Sequence, residues 1–554
     1  MTADTNEPGD SPPDANPPDA NPPAADPPDA GPPAASPPDA SWFDDDVEPE
    51  VVKTPVTLRG AVVVGGRVLA GIIAIASSVA VVAAASVLSL PGVSLLPTIS
   101  VAPPSELVTP VPTAQLLACP GGALRLADET GQGATTASAL GAPELDFASN
   151  TGQVDAASFS DSDASTGGTS AAPTLISTLP SVADPGAQVL VSGAQAEFVD
   201  SGDYVGLLTS PCATPSGDSW LVGGSTAVGR TTLLTLSNPS EVSATVTVEL
   251  FGERGAIVAP GTSGIVVAPR GQRVLSLAGF QPGVESPVVH VTSTGGQVVA
   301  NLQQSIVRGL EPGGMDLVGE SAPPSLRTVI AGVVLTDLAA VQDLAAGGAS
   351  FADAATALRL FAPGEGTVTA IVTIVPVDGV TGTGDTTVLG DSFSIDFEAG
   401  RVTDVPLETL GTGAYSVRID TDQPAVAAVR VTAAAPAVAG GANDFAWLSS
   451  AQPLTGVTQF TVARGPSPTL QFVNPGEFSV TVSLTELGSA SAAAIEVTLA
   501  PRSAAAIPVA AGQSYLIDGA VELYAALSFA DGAAIGGYPL APPGVGSAPL
   551  RVFL

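Results

Sequence analysis

Two hydrophobic patterns divide this chain. Val68 to Leu90 reads VLAGIIAIASSVAVVAAASVLSL, 23 residues without a charge, whereas from Cys119 onward apolar and polar positions alternate. Ala244–Leu250, ATVTVEL, sets Val246, Val248 and Leu250 against Thr245, Thr247 and Glu249. Ser479–Thr485, SVTVSLT, does the same with Val480, Val482 and Leu484. Side chains of a strand point alternately to opposite faces, so this period of two, rich in β-branched residues, predicts half-buried strands. Only Leu335–Ala346 and Phe351–Leu358 carry a helical pattern. Without long helical crossovers a parallel sheet is excluded, and the predicted fold is mainly β: tandem immunoglobulin-like antiparallel β-sandwiches.

The strands repeat. TLLTLSNPSE at 232–241, ALRLFAPGE at 357–365 and TLQFVNPGE at 469–477 each precede an alternating strand. VVAPRGQRVLSL at 266–277 then matches TLAPRSAAAIPV at 498–509, with FEAGRVTDVPL at 397–407 in the middle copy. Proline cannot donate to a central ladder, so the chain is expected to turn at each Asn-Pro or Ala-Pro step. The spacing predicts sandwich repeats at 216–325, 326–440 and 441–554. Residues 119–215 fit the repeat poorly and are read as a separate β region tied by a disulfide between Cys119 and Cys212. Both cysteines follow the apolar segment, and an even count in an oxidising compartment favours a bridge.

Val68–Leu90 exceeds the roughly 20 apolar residues needed to span a bilayer, and predicts one N-terminal transmembrane helix. Lys53, Arg59 and Arg67 precede it and the next base is Arg125. That asymmetry predicts a plasma-membrane protein with a cytoplasmic N-terminus and its C-terminal bulk outside. The rival is secretion after cleavage near Ala85, at the small-residue run Ala83-Ala84-Ala85. Residues 1–67 are expected to be a disordered, cytoplasmic Pro/Asp-rich tail, because the five-residue repeat of 12–40 (PPDAN and its variants) cannot build a core. A start downstream of Met1 would remove that tail. Residues 91–118 read as an extracytoplasmic linker.

The composition narrows the chemistry. Against 53 acids stand 17 bases, for a net charge of −36. Such a surface repels phosphates and excludes nucleic acid as a partner. Lys53 is the only lysine, so no Lys–Asn isopeptide staple can form beyond the membrane segment. His290, the only histidine, sits in an alternating strand, and no Gly-X-Ser-X-Gly elbow accompanies it. Two thiols and one distant histidine do not make a zinc site. Asp161-Ser162-Asp163 starts like a calcium loop but lacks the glycine at its sixth position and the carboxylate at its twelfth. GGSTAVGR at 223–230 lacks the Lys-Ser/Thr of a phosphate loop. No catalytic residue, metal or cofactor is therefore expected. Trp220 and Trp447, in DSWL and DFAWL, are weighed as sugar platforms against the commoner place of tryptophan in a sandwich core.

Cys119-Pro120-Gly121, Ser210-Pro211-Cys212-Ala213-Thr214-Pro215, Asp218-Ser219-Trp220-Leu221-Val222-Gly223-Gly224 and Leu236-Ser237-Asn238-Pro239 together carry a resemblance. It is to an actinobacterial domain-of-unknown-function family of membrane-anchored or secreted proteins, covering roughly residues 100–554. The resemblance implies a gene neighbourhood that often holds a large membrane glycosyltransferase, and it supplies no catalytic residues. The expected function is a non-enzymatic envelope scaffold or binding ectodomain, with a membrane glycosyltransferase or cell-envelope polysaccharide as partner. The alternatives are a glycan-binding module assisting that transferase and a carboxylate-dependent hydrolase.

Overall fold

In a computed structural model the structure describes residues 105–108, 114–126, 137–164, 171–179, 188–379, 391–407, 410–435, 442–488, 493–544 and 550–553. The predicted tail (1–67), transmembrane helix (68–90) and most of the linker (91–118) lie outside them. Among the described residues no helix is long and apolar enough to cross a membrane.

The described chain is mainly β. Its strands follow the alternation: Val246, Val248 and Leu250 are buried, while Thr245 and Glu249 are exposed. Leu338–Ala345 is helical, and the Asp337 side chain caps it by accepting from Ala340 N. The second helical expectation, Phe351–Leu358, is corrected. Ala349–Ala354 is a single 3-10 turn, and Ala357–Phe361 is already strand, held by ladders on both sides.

Paired sheets recur along the chain. In 218–318, Asp218–Val222, Val288–Gly295 and Ala244–Gly252 form one antiparallel sheet. Glu311–Val318, Val299–Arg308, Arg230–Asn238 and Gly271–Ser276 form the other. One apolar cluster takes Leu221, Val246 and Val289 from the first and Leu234, Leu236 and Leu302 from the second. In 325–449 the 22-residue strand Gly413–Ala434 leaves one sheet and enters the other, pairing first with Ser325–Leu335 and Thr367–Pro376, then with Ala357–Phe361 and Asn443–Ser449. Ser514–Asp531 does the same in 454–539. Asn443–Ser449, inside the stretch that the sequence assigns to the third repeat, thus completes the second.

The repeated motifs have repeated geometry. Asn238 Nδ2 donates to the carbonyls of Val242, Val267 and Ala268, and Asn474 Nδ2 to those of Phe478, Leu499 and Ala500. Each asparagine thereby ties its Pro turn to the later strand. Arg270 and Arg502 adopt left-handed φ values of 51° and 54° and pair with Glu241 and Glu477. The middle copy has Ala362 for the asparagine. There Gly400, at φ 77°, takes the turn, and its N–H donates to the Ala362 carbonyl.

Residues 119–215 are not an appendage. Their hairpin, Val191–Ser201 and Tyr204–Pro211, presents its second strand to the last strands of the three repeats. A Cβ on Gly206 would stand 2.4 Å from Met315 N; one on Gly314, 2.7 Å from Phe445 Cδ1; one on Gly537, 2.8 Å from Leu448 Cδ2; one on Gly536, 2.8 Å from Thr209 Oγ1. Tyr204–Pro211, Glu311–Val318, Asn443–Ser449 and Ala534–Pro539 therefore close a cycle, and each neighbouring contact is tight enough to require glycine. Ser105–Val108 pairs antiparallel with Leu550–Phe553, joining the two ends of this unit.

Candidate functional site: a polar pocket where the cycle ends

The centre of the cycle is a carboxylate. Asp444 Oδ2 accepts from Leu207 N at 2.8 Å and Ile535 N at 3.4 Å, and Oδ1 accepts from Met315 N at 3.1 Å. One side chain thus receives an N–H from each of the other three strands. Burial pushes Asp444 up to about 7, against the downward pull of these donors and of Phe445 N. Asp316 lies one strand away and is fully buried; Trp447 N donates to its Oδ2 at 2.7 Å. Burial, reinforced by Asp444, raises it well above the usual carboxylate range. Such groups cost folding free energy unless bonded, and their hydrogen bonds help fix the register between cycle strands that are not ladder partners of one another.

All four cycle strands leave at one place. Pro211, Gly319, Ser450 and Pro539, at or just past their C-terminal ends, line a single cavity of about 450 Å³. That lies within the range of about 300–1,000 Å³ common for small-ligand sites. Polar side chains on its wall that are at least nine-tenths buried include Ser192, Asn301, Ser450, Gln459 and Thr461. Asn301 Nδ2, Ser450 Oγ and Gln459 Oε1 have no hydrogen-bond partner in the protein. Gln459 is oriented by its other end, since Nε2 donates to Ala148 O at 2.8 Å and to Ser192 Oγ at 3.0 Å. Among the described residues Glu320 is the only carboxyl on the wall, and no lysine, arginine or histidine lines it. Burial raises Glu320 to about 7; Ser219 donates a hydrogen bond that lowers it, and nearby Asp218 raises it further.

The residues singled out in the sequence fall around this axis. Cys119 and Cys212 are bonded, and Cys212 lines the cavity. Gly193 makes room for the bridge: a Cβ there would stand 3.0 Å from Cys212 Sγ. Trp220 is 6% exposed and stacks under His290 with ring centroids 4.0 Å apart. Trp447 is 2% exposed, lies 4.3 Å below the Arg359 guanidinium, and donates from Nε1 to Gln304 Oε1 at 2.7 Å. Neither indole offers an open face to a sugar, so the core position holds for both. His290 bridges Glu249 Oε2 at 2.8 Å and Asp218 Oδ1 at 3.2 Å. Asp163 pairs with Arg273, and Gly223 and Gly224 pack against Trp447 and Thr232.

Sequence reasoning missed Asp444, Asp316, Asn301, Glu320 and Ser450. The available signals were Gly-Gly pairs at 313–314 and 536–537 and an acid opening the apolar run FAWL in NDFAWL. It also missed a buried ion network between the first two repeats. Arg230, Arg308 and Arg430 converge on Asp353, and Arg359 pairs with Asp404 at 2.8 Å. Burial works to raise Asp353, but the arginines hold it below its ordinary value.

A mainly β protein with paired sheets, one disulfide and a cavity where four strands end is the class that fold and site define. The chain matches the Family of unknown function (DUF5719) over residues 162–510 and belongs to that family. No curated protein matches it.

Proposed function

We propose that this chain is a non-enzymatic protein of the cell envelope, anchored in the plasma membrane by Val68–Leu90. Its extracytoplasmic part, read as a closed set of immunoglobulin-like sandwiches joined to the disulfide-tied region, binds or scaffolds an envelope partner. The observation that carries this reading is the convergence of four strand ends on one cavity whose wall, among the described residues, holds a single carboxyl and no base. A carboxylate-dependent hydrolase needs two carboxyls facing the same bond. Glu320 has the raised proton affinity of a general acid, but Asp218, its acidic neighbour, does not line the cavity. Binding is the reading with the complete set of parts.

The partner is a membrane glycosyltransferase or a cell-envelope polysaccharide, as the family resemblance of Cys119–Pro239 implies; the sharper form is a glycan-binding module that assists the transferase. A reporter phosphatase active only outside the cytoplasm, fused after Leu554, is expected to be active; an inactive, well-expressed fusion overturns the topology. Affinity capture of the anchored chain is expected to recover an envelope glycosyltransferase, and deletion of the gene to alter envelope glycan composition. Turnover of an envelope polymer by the purified protein, lost in Glu320→Gln, would replace this reading with the hydrolase.

A further inference from the structure

A second cavity, of about 670 Å³, shares no wall residue with the one where the strands end. Among the described residues three carboxyls line it, Glu144, Glu197 and Asp531, against one base, Arg464. That base is already engaged: its Nε and Nη2 donate to the Asp146 carboxylate at 2.7 and 2.8 Å. Acids alone would say little on a chain of net charge −36. Glu197 says more.

Glu197 and Gln195 project from one face of Val191–Ser201, and each ties down the loop after Cys119. Gln195 is used at both ends: Nε2 donates to Gly121 O at 2.7 Å, and Oε1 accepts from Gly121 N at 3.2 Å. Glu197 Oε2 accepts from Ala123 N at 2.7 Å, a bond that a glutamine oxygen would make equally well. The fold therefore has no use for the charge or for the second oxygen. Glu197 is only 7% exposed, yet Oε1 accepts from no described residue. It is not closed off from solvent, as Asn301 Nδ2, Ser450 Oγ and Gln459 Oε1 are. Gly141, also on the wall, gives it room: a Cβ there would stand 2.3 Å from Oε1. Beside it Phe198, 62% exposed, lines the same cavity. Burial raises the proton affinity of Glu197 against the pull of the Ala123 N–H, and a cation at Oε1 would hold it charged.

We infer that this second cavity receives a basic side chain, the guanidinium or ammonium of an Arg or Lys on a peptide segment of a partner. Glu197 Oε1 is the acceptor, Glu144 and Asp531 supply the field, and Phe198 meets the cation or its alkyl stem. An anion would find three carboxyls there and no unpaired base. A metal ion fits poorly, since among the described residues no three such ligands are grouped to hold one. This site is separate from the cavity at the strand ends, and its occupant does not depend on what that cavity holds.

The test is calorimetry on the full chain in detergent, in about 150 mM salt to screen diffuse attraction between exposed charges. The probes are acetyl-Ala-Arg-Ala amide and acetyl-Ala-Lys-Ala amide, their Gln and Glu counterparts, and spermidine as a free cation. At least one basic peptide is expected to bind with a millimolar or tighter Kd. Glu197→Gln keeps an acceptor for Ala123 N and should weaken binding about tenfold, a loss of roughly 1.4 kcal/mol, with an unchanged denaturation midpoint. Phe198→Ala should weaken it about threefold, the size of an exposed cation–π contact. Glu241→Gln, an exposed acid of the first repeat, should leave it unchanged. Should Glu197→Gln lower the midpoint, Phe198→Ala, at an exposed position, decides alone. Binding indifferent to Glu197→Gln overturns the inference, as does equal binding of the Gln or Glu peptide. Binding of spermidine but of neither basic peptide, or no binding at all, overturns it too.

Discussion

In the sheets of residues 325–449, burial tracks the letters of the sequence. Val368, Ala370 and Val372 are fully buried, and Thr367 and Thr369 beside them are exposed. On the axis the relation is reversed. Gln304, Asp316 and Asp444 are among the most buried residues, and the strands of Asp316 and Asp444 approach closely where Gly314 lacks a side chain. The contrast shows what each kind of contact does. Apolar alternation builds the sheet faces, and one apolar cluster runs on from 218–318 into Phe361, Val426 and Trp447, but an apolar contact singles out no particular partner atom. Carboxylates and carboxamides accept from or donate to particular atoms, so they fix which units meet and at what register. A polar axis between apolar cores is costly alone and selective when every unit is present.

The largest break in this comparison is Asp444→Ala. It strands N–H donors of Leu207, Met315 and Ile535 on three separate strands. The expected loss is about 4 kcal/mol in chemical denaturation, given about 1–3 kcal/mol for each unsatisfied buried group and partial relaxation. The apolar exchange Val372→Ala, inside one sheet, should cost about 2 kcal/mol and leave the other units' protection unchanged.

Cys212→Ser separates the axis from the repeats in another way. The bridge spans 93 residues, and removing such a link typically costs about 2–5 kcal/mol. The loss is expected in residues 115–211, read by limited proteolysis under native conditions. The sheets of 325–449 should be the more resistant, because their apolar cluster takes no residue from 115–211, whereas that of 454–539 includes Ala194, Ala196 and Leu207.

pH sharpens the comparison further. Asp444 holds its proton up to about pH 7 in the folded chain and loses it near the ordinary carboxylate value when unfolded. The folded state then binds more protons between about pH 4 and 7, so this group's contribution falls as pH rises through that window. Asp353 and Asp404, held low by their arginines despite burial, act in the opposite direction; their stabilisation is lost as acid protonates them. The difference between wild type and Asp444→Asn isolates the first effect. The wild-type curve should fall by a few kcal/mol more between pH 4 and 7 than the variant's. Parallel curves would show that Asp444 titrates normally.

The smallest effects lie at the repeat turns. Asn474→Ala should cost about 2 kcal/mol, because Asn474 Nδ2 serves three carbonyls from a buried site. Arg502→Ala breaks only an exposed pair with Glu477 and should change thermal stability by less than about 0.5 kcal/mol.

These differences explain what could be read from the chain. The strands around Val246, Val372 and Val482 were legible because a period of two survives in single letters. So was the Asn-Pro turn, whose asparagine performs the same bonding at Asn238 and Asn474. The pairing of Asn443–Ser449 with the second repeat was not, since a sheet's edge strand is chosen by contacts far along the chain. Residues 119–215 looked unlike a repeat because their role in the cycle needs only one hairpin and Gly206. The pocket was least legible of all. Asn301, Glu320, Ser450 and Gln459 come from distant segments and share no motif. Trp220 and Trp447 drew notice as rare residues, but their work is to fill the packing beside the axis.

Hydrogen exchange on Asp444→Asn measures the closed cycle most directly. The amides of Leu207, Met315 and Ile535 lie 237, 129 and 91 residues away from the substituted side chain. The cycle predicts that all three lose protection together, with Val329 and Leu470 inside the neighbouring sheets unaffected. Loss confined to Asn443–Ser449, with Leu207, Met315 and Ile535 as protected as in the wild type, would contradict it.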